Sequence, residues 1–334
     1  MTGRLRPALL AAIATLAMVG CSSGPATPTP SPSSSNPNPS PTATGPGASQ
    51  SPSATGTPTP SASSTGLVSS ECQKANLATK TDGRLTIGTD NPAYPPWWGG
   101  TPPNGSDWSL GFPPSGQGFE SAIAGAVATA LGYTSDEIDW TPVAFKQSYA
   151  PGPKPFDFYL AQVSYSAKRA QAVDMSDSYY DVNQALVALT SNPIASVTTV
   201  AGLKDFKLGA PVGTTSYDTI TNVIQPSQDP SAFNDQNEAV KALKNGQIDG
   251  IVVDLPSAFY MRDAQLTGKN TTGVIVGQFP TPATGQEYFS LVLKKGSSLT
   301  SCVNEAIALI RSTGVWQSIY AEWLADKASA PAFQ

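Results

Sequence analysis

The sequence predicts an α/β fold with mainly parallel β-sheets, and two observations lead to this class. From residue 85 onward, short apolar runs rich in β-branched residues alternate with segments whose apolar residues recur every three or four positions. Such alternation is typical of strands that are connected by helices crossing over a sheet. Residues 71–334 are also numerous enough to form two compact lobes, each with its own hydrophobic core.

The predicted elements follow in order along the chain. The first strand is Leu85–Thr89. The first helix ends at Gly132 and presents one apolar stripe, formed by Phe119, Ile123, Val127 and Leu131. Further strands are predicted at 156–164, 185–190, 207–212, 248–254, 274–279 and 288–294. A helix capped by Asn237 precedes a turn at 245–246, and two helices at 299–313 and 315–327 close the chain.

The composition excludes several kinds of active site. The 334 residues include no histidine, so Ser-His-Asp triads, Cys-His dyads and imidazole metal sites are excluded. All 24 acidic residues but only 17 of the 19 basic residues lie in 71–334, and no basic cluster occurs there, which argues against a nucleic-acid partner. Neither a GxxxxGK[ST] loop nor a GxGxxG turn is present. We therefore expect no cofactor and no metal.

Residues 1–20 have the pattern of an export signal. Arg4 and Arg6 precede an apolar run at 8–19, and a run of about 12 residues is too short to span a membrane. The segment 18–21, Met-Val-Gly-Cys, resembles a bacterial lipobox, in which the cysteine receives an acyl lipid such as palmitate. Cys21 is thus the expected lipid anchor of a lipoprotein on the extracytoplasmic face of the cell membrane. An ordinary signal peptide cleaved nearby is the alternative.

Residues 21–70 are predicted to be a disordered tether. Ser, Thr, Pro, Gly, Ala and Asn dominate the segment, which contains eleven prolines and no charge between residues 22 and 66. It contains too little apolar surface to offset the conformational entropy of folding. We expect the anchor at Cys21 to be the protein's only contact with the membrane.

Cys72 and Cys302 flank nearly all of the predicted globular region. In an exported protein, a pair of cysteines is more often bonded than free. We therefore predict a structural disulfide between Cys72 and Cys302.

Several segments together resemble the extracellular solute-binding proteins of amino-acid ABC transporters. The matching segments run in order from about residue 84 to residue 324: 85–90, 94–97, 118–120, 164–169, 173–180, 208–215, 246–254 and 314–323. The resemblance implies a two-lobed clamp of the periplasmic-binding-protein type (type II), each lobe a mixed, mainly parallel sheet flanked by helices. Residues 71–185 plus 288–334 would form the first lobe and residues 186–287 the second, joined by two crossing strands. We expect a monomer whose partners are an amino acid and an ABC permease.

The resemblance also implies which residues bind the backbone of the amino acid. Arg169 matches the arginine that binds the ligand carboxylate, for which a guanidinium offers paired donors and a permanent charge. Ser164 and Thr215 match further carboxylate contacts, one from each lobe. Asp254 matches the acid that binds the ligand ammonium, and it ends a predicted strand at the sheet edge where such crevices lie.

Each of these roles has a structural alternative. Arg169 could be a surface residue paired with Asp174 or Asp177. Asp254 could simply cap the following helix. Thr215 could be a helix cap, because many helices start with Ser or Thr.

Four further residues are implied for the side-chain pocket. Tyr94 matches an aromatic residue that packs on the ligand side chain, and Asp90 matches an acid at the base of that pocket. Trp97 stands where the family more often has Phe. Gln162 would narrow the pocket or add an amide contact. The alternative for Tyr94 and Trp97 is a place in the core of a lobe.

The predicted function is capture of a polar or charged amino acid and its delivery to a permease, with no reaction catalysed. One alternative is an enzyme on the same scaffold, a dehydratase acting on a cyclohexadienyl substrate. Another alternative is a sensory module that reports an amino acid to a receptor.

Overall fold

Two five-stranded β-sheets organise the chain, which the computed structural model describes over residues 68–269, 271–282, 285–327 and 329–334. The first sheet contains β1 Leu85–Thr89, β2 Ile138–Pro142, β3 Phe158–Tyr159, β4 Val173–Asp181 and β10 Tyr288–Lys294, in the order β2-β1-β3-β10-β4. The second contains β5 Gln184–Leu189, β6 Leu208–Pro211, β7 Ser231–Phe233, β8 Gly250–Asp254 and β9 Gly273–Gln278, in the order β7-β6-β8-β5-β9. Each sheet has two parallel and two antiparallel pairings. The sheets are mixed as predicted, although parallel pairs are no more frequent than antiparallel ones.

The helices divide between the two sheets. The first sheet is accompanied by α1 Phe119–Ala130, α2 Phe145–Ser148, α3 Ala167–Ala172, α7 Thr300–Ser312 and α8 Val315–Trp323. The second is accompanied by α4 Thr215–Thr219, α5 Gln236–Lys244 and α6 Leu255–Tyr260; α4 and α6 each continue into a π-helical turn. We call the first sheet with its helices lobe 1 and the second sheet with its helices lobe 2.

The core of lobe 1 includes buried residues of α1, β1 and α7, and α1 packs directly against α7 and α8. The predicted apolar stripe of α1 is fully buried, and burying each such side chain contributes about 1.5–3 kcal/mol. Gly118, which precedes α1, has a φ of 95°. A Cβ at this position would lie 2.5 Å from the Trp97 carbonyl oxygen, so glycine lets the start of α1 approach the 94–98 segment closely.

The core of lobe 2 forms around α5, whose Ala239, Val240 and Leu243 are buried against the second sheet. The cap of this helix is Asp235 and not Asn237 as predicted. Asp235 is extended, and its carboxylate accepts a hydrogen bond from the Glu238 N–H at 2.9 Å. Asn237 lies in the first turn instead, because the chain is already helical from Gln236 onward.

The other expected strands and helices agree with the structure except in two segments. The helix predicted at 315–327 ends at Trp323, and a separate 3₁₀ turn follows at Ala325–Lys327. Of the strand predicted at 156–164, only Phe158–Tyr159 pairs as a strand. Gln162 interrupts the extended backbone with a φ of 52°, and Ser164 forms an isolated bridge to Phe289. Three strands, β2, β4 and β7, were not predicted from the sequence. In β4, polar residues alternate with buried ones too irregularly to give a strand signal.

The end of the chain lies outside the predicted lobe boundary. Residues 288–327 belong to lobe 1, but the last residues pack on lobe 2. Gln278 at the end of β9 donates its N–H to the Pro331 carbonyl at 2.7 Å and accepts the Phe333 N–H at 2.9 Å. The Phe333 ring is 5% exposed and lies 5.0 Å from the ring of Phe279. A third segment therefore crosses between the lobes, in addition to the β4–β5 and β9–β10 connections.

The predicted disulfide between Cys72 and Cys302 is confirmed, with Cα atoms 5.0 Å apart. Both cysteines are buried in the core of lobe 1. The bond attaches the first described residues to α7 across a sequence separation of 230 residues.

Replacing both cysteines by serine is expected to lower the free energy of unfolding by about 2–4 kcal/mol, because the bond removes conformational freedom from the unfolded chain. Urea unfolding with and without a reductant measures the effect. The variant should be insensitive to reductant, and the reduced wild type should match it. Equal midpoints for oxidised wild type and variant would contradict this expectation.

The export signal, Cys21 and all but the last three residues of the 21–70 tether lie outside the described residues. Within the described residues, no helix combines the length and the apolarity required to cross a membrane.

Candidate functional site

A cavity of about 330 Å³ lies between the two lobes. Lobe 1 contributes the segment after β1, the start of α2, residues of the 161–164 segment and Arg169 of α3, and lobe 2 contributes the starts of α4, α5 and α6. Seven of the eight ligand-binding residues predicted from the sequence line this cavity: Asp90, Tyr94, Gln162, Ser164, Arg169, Thr215 and Asp254. Trp97 does not.

Arg169 lies on α3 and is 8% exposed. Its guanidinium donates to the Ser164 carbonyl at 2.5 Å and to the Gly213 carbonyl of lobe 2 at 2.9 Å. The guanidinium also stacks over the Tyr149 ring, 4.7 Å from the centroid. Burial lowers the pKa of Arg169, which nevertheless remains charged at neutral pH.

No carboxylate of the described residues forms an ion pair with Arg169. Asp174, one alternative partner, instead lies 3.3 Å from the Lys295 ammonium. Hydrogen bonds to carbonyl oxygens hold the guanidinium in place but do not neutralise it. A buried charge without a counter-charge is costly, so this position favours an anion in the cavity.

Asp254 is the residue before α6, but its side chain makes no capping hydrogen bond. It accepts a hydrogen bond from the Gln184 amide at 2.6 Å. The same amide nitrogen donates to Glu287 at 3.1 Å, so two carboxylates share one donor. Burial, reinforced by the negative charge of Glu287, raises the pKa of Asp254 to about 8. A cation placed beside Asp254 would restore its ionised form.

Two further residues of the site, Gln184 and Glu287, were not predicted from the sequence. Gln184 begins β5 and is 4% exposed, and its amide oxygen accepts a hydrogen bond from Ser216 of α4 at 2.7 Å. Glu287 immediately precedes β10 and accepts the Ser164 hydroxyl at 2.6 Å. Both lie where the chain crosses between the lobes. The only available signal was polarity at the start of two otherwise apolar strands.

Ser164 and Thr215 bring the two lobes into direct contact. Their hydroxyl oxygens lie 3.2 Å apart. The cap of α4 is Thr214, whose hydroxyl accepts the Tyr217 N–H at 3.2 Å. The Thr215 side chain is therefore not needed as a cap and lines the cavity instead.

Asp90 and Tyr94 line the cavity from lobe 1. Asp90 accepts the Asn91 N–H at 2.8 Å, and burial raises the pKa of its carboxyl. The Tyr94 ring meets the edge of the Tyr260 ring of lobe 2, with centroids 6.4 Å apart. The Tyr94 hydroxyl is buried without a hydrogen-bond partner among the described residues.

Gln162 lines the cavity but directs its amide nitrogen away from an incoming ligand. Both its backbone N–H and its side-chain nitrogen donate to Glu120, which is fully buried beneath the cavity. The Tyr179 hydroxyl donates to the same carboxylate. Burial raises the pKa of Glu120 to about 7 in spite of these donors. The two hydrogen bonds to the buried Glu120 carboxylate thus stabilise the left-handed backbone conformation of Gln162.

Trp97 occupies the core of lobe 1, packed edge to face against Phe119, Tyr180 and Phe289. Its side chain is fully buried. Its indole N–H nevertheless reaches lobe 2 and donates to the Ser257 hydroxyl of α6 at 2.8 Å. Trp97 therefore contacts the lining residue Ser257 and does not line the cavity itself.

Replacing Trp97 by phenylalanine is expected to weaken ligand binding by about 2- to 10-fold, because the closed arrangement loses one buried hydrogen bond worth roughly 0.5–1.5 kcal/mol. The matched variant is Ser257→Ala. If the hydrogen bond carries the effect, the double variant should bind only as weakly as the weaker single variant. Calorimetry that finds the two losses fully additive would contradict this coupling.

In the described part of the chain, no group of three or more Asp, Glu, Cys or His side chains is arranged to hold a metal ion. The site instead offers isolated opposite charges, hydroxyls and aromatic rings to an organic ligand.

Comparison with known proteins gives one family and several relatives. Residues 85–326 match the family model described as bacterial extracellular solute-binding proteins, family 3. The ABC transporter glutamine-binding protein GlnH of Bacillus subtilis (strain 168) is 29% identical over 174 residues, which are 51% of this chain and 58% of that protein. The L-cystine-binding protein TcyJ of Escherichia coli (strain K12) is 27% identical over 247 residues, which are 73% of this chain and 84% of that protein.

A solved structure supports the same relationship. An ancestral arginine-binding protein bound to arginine is 26% identical and superposes with a TM-score of 0.56, covering 72% of this chain and 98% of that one. This chain matches less than two thirds of the length of the glutamine-binding protein GlnH.

Proposed function

Because the chain belongs to family 3 of the bacterial extracellular solute-binding proteins, we propose that it captures a polar or charged amino acid between its lobes and delivers it to the permease of an ABC transporter. The names of the relatives support this proposal, since they are binding proteins for glutamine, cystine and arginine. The proposed ligand contacts are those predicted from the sequence, with Trp97 acting through Ser257.

One observation carries the proposal. A buried guanidinium from lobe 1, Arg169, and a carboxylate from lobe 2, Asp254, line the same cavity without forming an ion pair with each other. A free amino acid carries one carboxylate and one ammonium and can neutralise both groups at once. Ser164 and Thr215 place two hydroxyl groups, one from each lobe, 3.2 Å apart in the cavity. The ligand carboxylate would accept the Thr215 proton and would compete with Glu287 for the Ser164 proton.

This arrangement couples binding to closure of the lobes. Neither lobe alone presents both charges, so the zwitterion makes its full set of contacts only when the lobes meet. A ligand shifts a conformational equilibrium by the difference between its affinities for the two states. Charge-assisted hydrogen bonds of about 1.5–3 kcal/mol each are sufficient for micromolar affinity, which requires about 8 kcal/mol.

Binding without turnover fits this site better than dehydration of a cyclohexadienyl acid. A prephenate-like substrate has no ammonium to neutralise Asp254, and a second carboxylate there would face both Asp254 and Glu287. Incubation with prephenate and arogenate, followed by analysis for loss of water and carbon dioxide, tests this point. Catalysed release of either product would overturn the reading as a pure binding protein.

The cellular placement is part of the same proposal. The family is extracellular, and the lipobox-like segment supports a lipid on Cys21, after removal of residues 1–20, with residues 21–70 as a tether outside the cytoplasmic membrane. Mass spectrometry of the protein extracted with detergent should find acyl chains on Cys21, and a Cys21→Ala variant should be released into the medium. Acylation elsewhere, or none, would contradict the anchor.

The functional test is a screen of the purified protein against the twenty amino acids, ornithine and citrulline. A bound ligand at a hundredfold excess over its dissociation constant stabilises the protein by about 2.7 kcal/mol, which a thermal melt detects easily. Calorimetry then gives the affinity and a stoichiometry of one. Absence of any shift and of any heat with all of these ligands would overturn the proposed function. Loss of labelled amino-acid uptake on deleting the protein would separate transport from sensing.

A further inference from the structure

A second cavity, of about 280 Å³, lies beside the two connections that cross between the lobes. At these connections, Gln184 and Glu287 have hydrogen bonds to residues that line the first cavity. Asn183 and Gln286, the residues immediately before them, line the second cavity instead. Among the described residues, none lines both cavities. The two connections therefore separate this second cavity, which we call the rear cavity, from the first.

Both lobes contribute to the lining of the rear cavity. Lobe 1 contributes Arg311 near the end of α7 and Trp316 and Tyr320 of α8. Lobe 2 contributes Leu255, the first residue of α6, whose N–H donates to the Asn183 carbonyl at 2.9 Å. A molecule in the rear cavity would therefore contact both lobes at the connections between them.

Two opposite charges line the rear cavity without forming an ion pair. The Arg311 guanidinium donates to the Ser178 carbonyl at 3.1 Å and stacks over the Trp316 ring, 4.7 Å from the centroid. The Asp181 carboxylate accepts the Ser178 hydroxyl at 2.7 Å, so both charged groups contact the same residue. Within the described part of the chain, neither group is ion-paired. The rear cavity thus presents one cation and one anion to a ligand.

The neutral groups of the lining differ in what they can offer. The two amide side chains are occupied, because the Gln286 nitrogen donates to the Val182 carbonyl at 2.7 Å and the Asn183 nitrogen donates to Gln278 at 3.0 Å. Tyr180 and Tyr320 add two phenol groups, whose rings lie 6.5 Å apart. A phenol hydroxyl can donate to a carboxylate, and the rings can pack against an apolar side chain.

The balance of charge decides which class of ligand fits. Arg311 and Asp181 are the charged residues in the described lining, and their charges sum to zero. A simple anion or a simple cation would leave one of them unpaired, whereas a zwitterion complements both. The rear cavity is nearly as large as the first one, which measures about 330 Å³, so it has room for an amino acid.

We infer that the rear cavity binds a second amino acid, with its carboxylate at Arg311, its ammonium at Asp181 and an apolar side chain against Leu255 and the phenol rings. A guanidinium can donate to both oxygens of this carboxylate. The inference goes beyond the proposed function, because the rear cavity shares no described lining residue with the site of Arg169 and Asp254.

The position of the rear cavity predicts how the two sites affect each other. In this structure the first cavity is closed, with the Ser164 and Thr215 oxygens 3.2 Å apart, and the rear cavity is open. A rotation about the connections that separates Ser164 from Thr215 would move Leu255 towards α8 and narrow the rear cavity. An amino acid in the rear cavity would therefore oppose opening and raise the affinity of the first cavity, and the coupling is reciprocal.

Leucine and two of its analogues test the class of ligand. 4-Methylpentanoate lacks the ammonium of leucine and 3-methylbutylamine lacks the carboxylate, while both keep the branched chain. Calorimetry at millimolar concentrations uses the Arg169→Ala variant, in which the first cavity is disabled. Leucine should bind, and each analogue should bind at least about 10-fold more weakly, the effect of one charge-assisted hydrogen bond.

Two substitutions test the assigned residues in the same Arg169→Ala background. Arg311→Gln and Asp181→Asn keep a donor to the Ser178 carbonyl and an acceptor for the Ser178 hydroxyl, so the fold should be preserved. Each should weaken leucine binding by at least about 10-fold. Glu322→Gln is the control, because Glu322 is exposed on α8 and does not line the rear cavity.

The coupling is tested in the wild-type background, and this part rests on the proposed function. Saturating leucine should raise the affinity for the amino acid found in the screen by about 5-fold or more. Arg311→Gln should bind that amino acid as the wild type does without leucine, and added leucine should then have no effect. A lower affinity in the presence of leucine would overturn the predicted coupling.

The remaining results separate the two proposals. Leucine binding that is absent from Arg169→Ala but survives Arg311→Gln would belong to the first cavity and would overturn the rear site. Equal binding of leucine and either analogue would overturn the zwitterion. Both results would leave amino-acid capture in the first cavity intact. Failure of every amino acid in the screen to bind the wild type would overturn the proposed function itself.

Discussion

Replacing Arg169 by alanine is expected to weaken amino-acid binding by about 30- to 5,000-fold, because truncating one partner of a buried charge pair costs roughly 2–5 kcal/mol. Arg169 is the one buried cation among the described residues that line the cavity, so its loss would leave the ligand carboxylate unpaired and Asp254 as an unbalanced acid. Calorimetry with the ligand identified in the amino-acid screen measures the loss.

Lys168→Ala is the matched control for this variant. Lys168 is the neighbouring residue on α3, is exposed and does not line the cavity, so its removal should leave the affinity unchanged. Arg169→Lys should recover only part of the affinity, since an ammonium cannot make the paired contacts of a guanidinium. Melting temperatures near that of the wild type would show that both variants fold. Affinity in Arg169→Ala within threefold of the wild type would remove Arg169 from the site.

Replacing Asp254 by asparagine is expected to abolish high-affinity binding and at the same time to stabilise the ligand-free protein. The loss of binding follows because a neutral amide cannot balance the ligand ammonium. The gain in stability follows because burial in the folded protein raises the pKa of Asp254 to about 8, whereas the ordinary value for a solvent-exposed aspartate is 3.8. The penalty removed is of the order of 1–3 kcal/mol, the cost of a poorly satisfied buried polar group.

The pH dependence of the free energy of unfolding tests whether the raised pKa of Asp254 is the cause of this gain in stability. Between about pH 4 and pH 8 the folded protein holds a proton on Asp254 that the unfolded chain releases, so stability falls as the pH rises through this window. The advantage of Asp254→Asn should therefore be small at pH 4 and largest at pH 8. Urea unfolding at several pH values measures it. Asp229→Asn, on the exposed surface, should show no such trend.

The affinity for the ligand should also depend on pH, because binding changes the protonation of Asp254. A ligand ammonium stabilises the ionised form of Asp254, so binding below pH 8 should release a proton and affinity should rise between pH 6 and pH 8. Calorimetry in buffers of different ionisation enthalpy counts the released proton. Binding to the wild-type protein between pH 6 and pH 8 without any proton release would contradict this account.

The sequence was sufficient for the parts of the site that lie on local motifs. Arg169 lies on the short helix α3, Ser164 lies three residues before that helix begins, and Asp254 ends an apolar strand, so their positions followed from segments of a few residues. The resemblance to solute-binding proteins, now confirmed, placed these segments on two facing lobes. The disulfide could be predicted because only two cysteines were left in the globular region.

The part of the site that could not be predicted depends on contacts between residues distant in sequence. Gln184 and Glu287 are 103 positions apart and meet only because two connections cross side by side between the lobes. Trp97 could not be assigned, because an aromatic residue after two prolines is equally compatible with a pocket and a core. Its indole ring packs in the core and its N–H group contacts the opposite lobe.

The packing of the chain's end on lobe 2 limits how far the clamp can open. Leu324 is fully buried in lobe 1, and the Ala330 carbonyl accepts the Gln278 side-chain amide of lobe 2 at 2.6 Å. The six residue steps between them can extend to at most about 20 Å. This length therefore sets an upper limit on the distance between Leu324 of lobe 1 and Ala330 on lobe 2. Any wider separation of Leu324 from the edge of the second sheet requires Phe333 to leave its pocket, which would expose an aromatic ring to water.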